Sequence, residues 1–131
     1  MIFVVEDDPN IRELVTYTLQ STGFDACGFE NGSEFLKALS DGEKPELVLL
    51  DIMLPGEDGI SILRKLRTRP DTRKIPVIML TAKGTEYDVV MGLDSGADDY
   101  IPKPFRMMEL ISRIKARLRS GERIKAQKNI I

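Results

Sequence analysis

The sequence predicts an α/β protein in which one parallel sheet lies between two layers of helices. Apolar runs without alternation, at residues 1–5, 47–50 and 77–80, are typical of strands covered on both faces. Five strand-like segments alternate along the chain with five segments of helical periodicity. This alternation is characteristic of parallel strands joined by right-handed crossovers.

Local signals place each element in order. Asp8 followed by Pro9 predicts an N-cap and the first residue of a helix, and Gly23 predicts where that helix ends. The predicted strands are residues 1–5, 24–29, 47–51, 76–82 and 97–102. The predicted helices are about residues 9–22, 31–41, 59–69, 83–95 and 105–119. Together they fill most of a 131-residue chain, which is the size of a single domain.

Apolar spacing predicts which helical side chains face the core. The first helix should turn Leu14 inward, and the fourth should rely on Val89, Val90 and Leu93. The fourth helix also contains two glycines, and an interior Gly costs about 1 kcal/mol relative to Ala. A marginal helix is therefore expected at that position.

Two charged segments have ordinary interpretations. Arg64, Lys65 and Arg67 lie between the apolar residues of the third helix, which indicates a solvated basic face. Residues 121–131 are polar and net basic without a clear apolar stripe. We therefore expect a folded domain over residues 1–120, followed by a linker or tail toward an effector domain absent from this sequence.

Composition excludes several classes of function. A formal net charge of -2, from 19 basic and 21 acidic residues, predicts no direct binding of nucleic acid or anionic lipid by this chain. With no histidine and only Cys27, the chain cannot form Cys/His zinc sites, histidine bases or an internal disulfide. Its apolar runs are too short to span a bilayer, and no export leader is visible, so a cytoplasmic location is expected.

Polar side chains follow four of the predicted strands. Glu6 and Asp7 follow the first strand, Asp51 and Thr81 end the third and fourth, and Lys103 follows the fifth. Because the carboxyl ends of parallel strands share one edge of a sheet, these side chains should converge there. Three carboxylates in one crevice need a cation, and an all-oxygen set with room for water suits Mg²⁺. One Mg²⁺ and the Lys103 ammonium would balance their charge.

Asp51 is the candidate reactive group, although an Asp that leaves a strand is more often a turn former or a helix cap. A carboxylate can attack phosphorus to give an aspartyl phosphate, while a metal ion and Lys103 neutralise charge on the transferring oxygens. Thr81 could donate a hydrogen bond to such an oxygen, or could simply be a β-branched strand residue. A cis bond before Pro104 would turn Lys103 inward.

At these residues the chain resembles the receiver domain of bacterial two-component response regulators. The resemblance is carried by residues 4–8 (VVEDD), 49–56 (LLDIMLPG), 80–82 (LTA) and 96–105 (GADDYIPKPF), and it extends from residue 2 to about residue 119. It implies a flavodoxin-like fold with five parallel strands in the order 2-1-3-4-5. It also implies a signalling switch rather than an enzyme with its own substrate.

The resemblance implies a role for each site residue. Asp51 would accept a phosphoryl group from a sensor histidine kinase, and Lys103 would bind that group. Thr81 and Tyr100 would form a coupled switch pair. The ligands of Mg²⁺, direct or through water, would be Glu6, Asp7, Asp51 and the backbone carbonyl of Met53.

The end of the chain is similar to the subfamily whose receiver domains precede a winged-helix DNA-binding domain, which implies an output in transcription. There, acids such as Asp98 and Asp99 pair with bases such as Arg113 and Lys115 across a two-fold dimer. Such a homodimer would use the face formed by residues 83–119. Two positions on that face that usually carry basic residues are occupied here by Thr85 and Val89.

Two other classes of protein share part of this pattern. A phosphatase of the haloacid dehalogenase type also uses an Asp nucleophile, but needs a second Asp two residues later, where this chain has Met53. A flavodoxin-like ligand-binding protein would need a glycine-rich phosphate loop, and none follows the first strand.

Overall fold

The computed structural model describes the backbone of residues 1–82 and 86–130, and the side chains of residues 1–82 and 89–120. The strands are β1 (Ile2–Val5), β2 (Ala26–Phe29), β3 (Leu47–Asp51), β4 (Val77–Thr81) and β5 (Asp99–Pro102). The helices are α1 (Pro9–Ser21), α2 (Gly32–Ser40), α3 (Gly59–Thr68), α4 (Glu86–Asp94) and α5 (Met107–Ile130). All strand pairs are parallel, in the order β2-β1-β3-β4-β5, which confirms the predicted fold.

The sheet separates two apolar layers. Along β1, Phe3 and Val5 face the layer that contains α2 and α3, whereas Ile2 and Val4 face the layer that contains α1 and α5. The central strands β1, β3 and β4 are buried along their whole length. This two-sided burial is why their sequences show continuous apolar runs instead of alternation.

Short polar side chains set the starts of the helices. Asp8 is the N-cap of α1, as predicted, and its carboxylate accepts from the backbone N–H groups of Asn10 and Ile11. Asp58 caps α3 by accepting from the Ser61 N–H at 2.9 Å. These caps fix where each helix begins, and so fix the lengths of the loops at the carboxyl edge of the sheet.

Glycines with positive φ follow three of the helices. Gly23, Gly42 and Gly96 have φ of 96°, 97° and 108°, a region that other residues rarely adopt. After α4, the Gly96 N–H donates to the Leu93 carbonyl and the Ala97 N–H donates to the Gly92 carbonyl. This pair of hydrogen bonds is the Schellman motif, which ends a helix within one residue.

The structure corrects several predicted details of the helices. The side chain of Leu14 is 55% exposed, and those of Val90 and Leu93 are each 45% exposed, so these residues are not core residues. The last helix begins at Met107 rather than residue 105 and continues to Ile130, so most of the predicted tail is helical. The predicted start of the fourth helix, residues 83–85, lies outside the described residues.

The predicted solvated basic face of α3 is wrong for one of its three residues. Arg64 and Lys65 are exposed, but the side chain of Arg67 is only 19% exposed and is held by several hydrogen bonds. Among the described residues, no helix has both the length and the apolar character needed to cross a membrane.

Candidate functional site

The strand register brings the predicted site residues to one edge of the sheet. Val5 is paired with Leu50, so Glu6 emerges beside Asp51. On the other side of Asp51, β4 ends at Thr81, which is paired with Pro102 of β5. Lys103 follows directly, and its backbone N–H donates to the Thr81 carbonyl at 2.7 Å. The expected convergence is therefore observed.

Three carboxylates form the acidic side of the site. Glu6, Asp7 and Asp51 each offer an oxygen, and these oxygens lie within 4.8 Å of one another. Glu6 and Asp51 are buried, with 0% and 2% exposure, whereas Asp7 is exposed. The cluster therefore has two buried acids and one acid at its opening to solvent.

Lys103 provides the positive charge. Its Nζ donates to Asp51 Oδ2 at 2.9 Å and also to Glu6 Oε1. The Lys103–Pro104 peptide bond is cis, and the Lys103 side chain is directed into the site. Burial opposes the charge on Lys103, but the hydrogen bonds to Asp51 and Glu6 outweigh it and raise the pKa of the ammonium.

Asp51 is held on both of its oxygens. Oδ1 accepts from the Met53 N–H at 3.0 Å, and Oδ2 accepts from Lys103. The next helix approaches very closely: a Cβ on Gly59 would lie 2.1 Å from the Asp51 carbonyl oxygen, so only glycine fits there. Asp51 is thus a fixed acid at a strand end, and it caps no helix in the described structure.

Glu6 has an unusual environment. Burial and the hydrogen-bonded proximity of Asp51 raise its pKa to about 8, against the lowering effect of Lys103. Its Oε2 is buried and accepts no hydrogen bond from the residues that the structure describes. A buried carboxylate oxygen without a partner is costly, so this site favours an additional positively charged group.

The donor set therefore fits a metal ion. Three carboxylates face one ammonium, one carboxylate oxygen is unpartnered, and every side-chain ligand is oxygen, which suits a hard divalent cation. The Met53 side chain is 53% exposed, and its N–H is used by Asp51. The role of the Met53 carbonyl as a metal ligand stays a prediction.

Thr81 and Tyr100 lie on adjacent strands, β4 and β5. Thr81 is fully buried, and Tyr100 is 8% exposed. Tyr100 is paired with Met79, two residues before Thr81. A Cβ on Gly92 of α4 would lie 3.6 Å from the Tyr100 ring, so the backbone of α4 passes directly over this ring.

The residues predicted to form a dimer face contact their own chain. Asp99 accepts two hydrogen bonds from Arg113, at 2.9 and 3.2 Å. Asp98 accepts from Arg67 of α3, at 3.0 Å. Lys115 is exposed. The sequence did not suggest a role for Arg67, because all its partners lie on later segments of the chain.

The fold and the site together define a class of protein. A five-stranded parallel sheet in this order, with three carboxylates and one lysine at its carboxyl edge, is the architecture expected of a signalling receiver domain. The chain matches the family model "Response regulator receiver domain" over residues 2–115, and it therefore belongs to that family.

Curated relatives agree with this assignment. The chain is 49% identical over 121 residues to "DNA-binding response regulator MtrA" of Mycolicibacterium smegmatis, covering 92% of this chain and 51% of that protein. It is 48% identical over 118 residues to "Phosphate regulon transcriptional regulatory protein PhoB" of Escherichia coli, covering 90% and 51%. The chain thus spans about half the length of these relatives.

Solved structures show the same fold. The receiver domain of Francisella response regulator 1452 superposes with a TM-score of 0.85 at 32% identity, covering 92% of this chain and 97% of that one. The BeF3-activated N-terminal receiver domain of Klebsiella pneumoniae RstA has a TM-score of 0.83 at 36% identity, covering 90% and 97%. The family is one of signalling switches rather than of enzymes with external substrates, so the phosphatase alternative is not supported.

Proposed function

We propose that this domain is a phosphorylation-dependent switch in which Asp51 accepts a phosphoryl group from a sensor histidine kinase. The observation that carries the proposal is the convergence of Asp51, Lys103 and two further carboxylates at the carboxyl edge of the sheet. A fixed carboxylate beside an ammonium and an acidic cation site has the parts that phosphoryl transfer to a carboxylate needs.

The proposed transfer needs no reactant besides this domain and the phosphorylated kinase. A carboxylate oxygen of Asp51 forms a bond to phosphorus as the bond from phosphorus to the kinase imidazole nitrogen breaks. The other ring nitrogen of the phosphorylated imidazole carries a proton, so when the bonding electrons go to the leaving nitrogen a neutral imidazole is released. Lys103 then neutralises a phosphoryl oxygen. With no histidine in the chain and Met53 two residues after Asp51, this domain catalyses only its own phosphorylation and slow dephosphorylation.

Mg²⁺ is the proposed cofactor, held by Glu6, Asp7 and Asp51, with Met53 contributing its backbone carbonyl. When bound, it would neutralise charge on the transferring oxygens. The unpartnered Oε2 of Glu6 supports this assignment, because burial of that oxygen is costly without a cation or a bridging water nearby.

Thr81 and Tyr100 are the proposed switch. Thr81 would move toward a phosphoryl oxygen, and Tyr100 would fill the vacated space, changing the position of α4 above its ring. If Thr81→Ala accepts phosphate normally and its partner still binds in a fully phosphorylation-dependent way, this switch is wrong.

An apolar groove beside the site provides a surface for the kinase. It has a volume of about 400 Å³, and Lys103 forms part of its wall together with α1 and the start of α5. Leu14, whose side chain is 55% exposed, lies in this groove. A donor protein that delivers a phosphoryl group to Asp51 must approach past Lys103, so its surface would cover Leu14.

The proposed output is regulation of transcription by an effector domain to which the tail of residues 121–131 would lead. The relatives named above include a DNA-binding regulator, and this chain covers about half of their length. A homodimer through the face formed by residues 83–119 is part of this proposal. Its acids already bind Arg67 and Arg113 within one chain, so other residues would supply most of the contact.

Intact mass spectrometry tests the proposed function. Wild type incubated with acetyl phosphate and Mg²⁺ should gain the mass of one phosphoryl group, and should gain none after removal of the metal. Asp51→Asn should gain none in either condition. Asp58→Asn is the matched control, because Asp58 is the N-cap of α3 and not one of the three clustered carboxylates, and Asn can also cap. Equal phosphorylation of wild type and Asp51→Asn would refute the proposal.

A further inference from the structure

Arg12, the fourth residue of α1, connects this helix to the loop that carries two of the three clustered acids. Its Nη1 donates to the backbone carbonyl of Glu6 at 2.8 Å and to that of Asp7 at 3.4 Å. Both acceptors are backbone oxygens, so these contacts leave the carboxylates of Glu6 and Asp7 available to a cation. The guanidinium therefore holds the peptide groups of the acidic pair without occupying their side chains.

The same loop is held at its other polar groups. The Glu6 N–H donates to the Phe29 carbonyl of β2 at 3.0 Å, and the Asp8 carboxylate accepts from the Asn10 N–H at 2.9 Å. The backbone N–H of Arg12 donates to the Asp8 carbonyl at 2.9 Å, which begins the hydrogen bonding of α1. The Arg12 side chain adds the contact to the carbonyls that lie between the end of β1 and the helix cap.

Gly28 of β2 makes room for the Arg12 side chain. It is paired with Val4, whose side chain belongs to the apolar layer that contains α1. A Cβ on Gly28 would lie 2.8 Å from Arg12 Cγ and 3.0 Å from Arg12 Cδ. Any larger residue at position 28 must therefore displace the apolar stem of Arg12. With glycine there, the stem lies against the backbone of β2 and the guanidinium reaches the end of β1.

The acids need such a restraint because they repel one another. Glu6, Asp7 and Asp51 each have an oxygen within 4.8 Å of the others. Like charges at this separation favour movement apart, and the loop after β1 is the part that could move. Asp51 is held by its own hydrogen bonds at the end of β3. For the loop, Arg12 supplies a comparable restraint through the backbone.

We propose that Arg12 is a positioning residue of the cation site, which holds the backbone of Glu6 and Asp7 so that both carboxylates are pre-organised beside Asp51. This inference rests on the proposed function, because it concerns the affinity of the proposed Mg²⁺ site. Pre-organised ligands lose less conformational freedom on binding, so removal of Arg12 should weaken cation binding. Removal of a nearby positive charge would by itself strengthen it, so the two effects predict opposite signs.

Titration calorimetry with Mg²⁺ and the metal-free protein measures this sign. Arg12→Ala should lower the affinity by about fivefold to tenfold, the low end of what loss of a group that orients metal ligands costs. Gln20→Ala is the matched control, because Gln20 also lies on α1 and its Nε2 donates to a backbone carbonyl, that of Ala26, at 3.2 Å. It should bind Mg²⁺ within about twofold of wild type. Equal or tighter binding by Arg12→Ala would refute the proposal.

Amide hydrogen exchange, followed by NMR in the absence of metal, tests the restraint itself. Arg12→Ala should speed exchange of the Glu6 N–H by about tenfold, because the loop opens more easily when its carbonyls lose their donor. The Ile2 N–H, which donates to the Asp25 carbonyl at 2.8 Å at the other end of β1, should exchange as in wild type. Gln20→Ala should change neither amide. An unchanged Glu6 N–H in Arg12→Ala would contradict the proposal.

Gly28→Ala tests the same residue without removing it. In the wild-type background it should lower Mg²⁺ affinity by about threefold, because it displaces the Arg12 stem. In the Arg12→Ala background it should change the affinity by less than about 1.5-fold, since that stem is gone. Equal reductions in the two backgrounds would contradict the proposal. If Arg12→Ala does not fold by circular dichroism, Arg12→Met takes its place in calorimetry and exchange, because it keeps the stem and removes the donors.

The calorimetry also separates this inference from the proposed function. If wild type binds no Mg²⁺, the proposed cofactor is wrong and the role of Arg12 in cation binding is wrong with it. If wild type and Arg12→Ala bind Mg²⁺ equally well, only the role of Arg12 is wrong, and Asp51 remains the proposed phosphoryl acceptor.

Discussion

The two edges of the sheet each contain a partly buried cation with at least one acidic partner, but the two networks differ in completeness. At the carboxyl edge, Lys103 donates to two buried carboxylates, and among the described residues one oxygen of Glu6 has no hydrogen-bond partner. At the amino edge, Arg67 donates to three carbonyls and to the carboxylate of Asp98, which also accepts from a backbone N–H.

This difference explains what each edge can do. A network with excess negative charge and an unpartnered oxygen is costly as it stands, and it is stabilised by binding a cation and then a phosphoryl group. In the second network the guanidinium already donates to its carbonyl and carboxylate acceptors, so the network gains no stability from a further ligand. The first is therefore a reactive site and the second a structural support. This contrast leads to five expected outcomes, and each can contradict it.

The largest effect is expected from Lys103→Met. Removing the ammonium takes away a donor that neutralises the transferring oxygens, so the rate of phosphorylation by acetyl phosphate should fall by about 10² to 10³-fold. Time-resolved intact mass measures this rate. Lys65→Met is the control, because Lys65 is an exposed lysine paired with Glu57 at the surface. A Lys103→Met rate within threefold of wild type would mean that the carboxyl edge does not act as a charge-balanced site.

The next largest effect is expected from Arg67→Gln on stability. Loss of the guanidinium leaves the Asp98 carboxylate and several carbonyls short of donors, which should lower the free energy of unfolding by about 2–4 kcal/mol. Urea denaturation measures the change, with Arg69→Gln as the control at less than about 0.5 kcal/mol. The loss should be the same with and without Mg²⁺. A loss that Mg²⁺ relieves would show that the two edges are not independent.

The pH dependence of Mg²⁺ binding should reflect Glu6. Its raised pKa, about 8, means that the metal-free site holds a proton that Mg²⁺ must displace. Affinity measured by calorimetry should therefore increase by up to about tenfold per pH unit below pH 8 and level off above it. Glu6→Gln should bind more weakly, with a flatter dependence. A wild-type affinity that is constant from pH 6 to pH 9 would contradict this account.

The raised pKa of Glu6 should also make the stability of the metal-free protein depend on pH. Because the pKa of Glu6 is raised above its value in the unfolded chain, the stability that comes from its protonation is complete below about pH 4.5 and is lost as the pH rises through about 8. Urea midpoints of the metal-free protein should decrease over this range, and Glu6→Gln should remove this component of the decrease.

The smallest effect compares two glycines. Gly96→Ala and Gly42→Ala place a Cβ at similar positive φ, which costs about 1–2 kcal/mol in each case. Only the Cβ at position 96 also displaces Arg67, so Gly96→Ala should be the more destabilising by about 1 kcal/mol in urea denaturation. Equal losses would indicate that the Arg67 network adjusts freely.

Much of the fold and of the reactive edge could be predicted from the sequence, because their signals are local. Continuous apolar runs mark the buried strands, and the acids and the lysine stand directly after strand ends. Parallel strands place such residues at one edge, and therefore Glu6, Asp51 and Lys103 could be expected to meet. The N-cap role of Asp8 was equally local, since Pro9 follows it.

The amino edge could not be predicted in this way. Arg67 has helical neighbours typical of a solvated face, and its partners Gly96 and Asp98 lie 29 and 31 residues later in the chain. Apolar periodicity also overestimated the burial of Leu14. The apolar face of α1 is wider than the part of this helix that is covered by its neighbours, and Leu14 lies on the uncovered part. Apolar spacing predicts which side of a helix faces inward, but not how far the neighbouring elements extend over it.

The most direct test of the central claim is the position of a divalent cation at the carboxyl edge. Crystals grown with Mn²⁺ in place of Mg²⁺ should show one strong anomalous peak among Glu6, Asp7 and Asp51, with the Lys103 ammonium still bound to Asp51. No peak at the carboxylates, or a peak only elsewhere on the protein, would contradict the conclusion that the three acids are assembled to hold a metal ion.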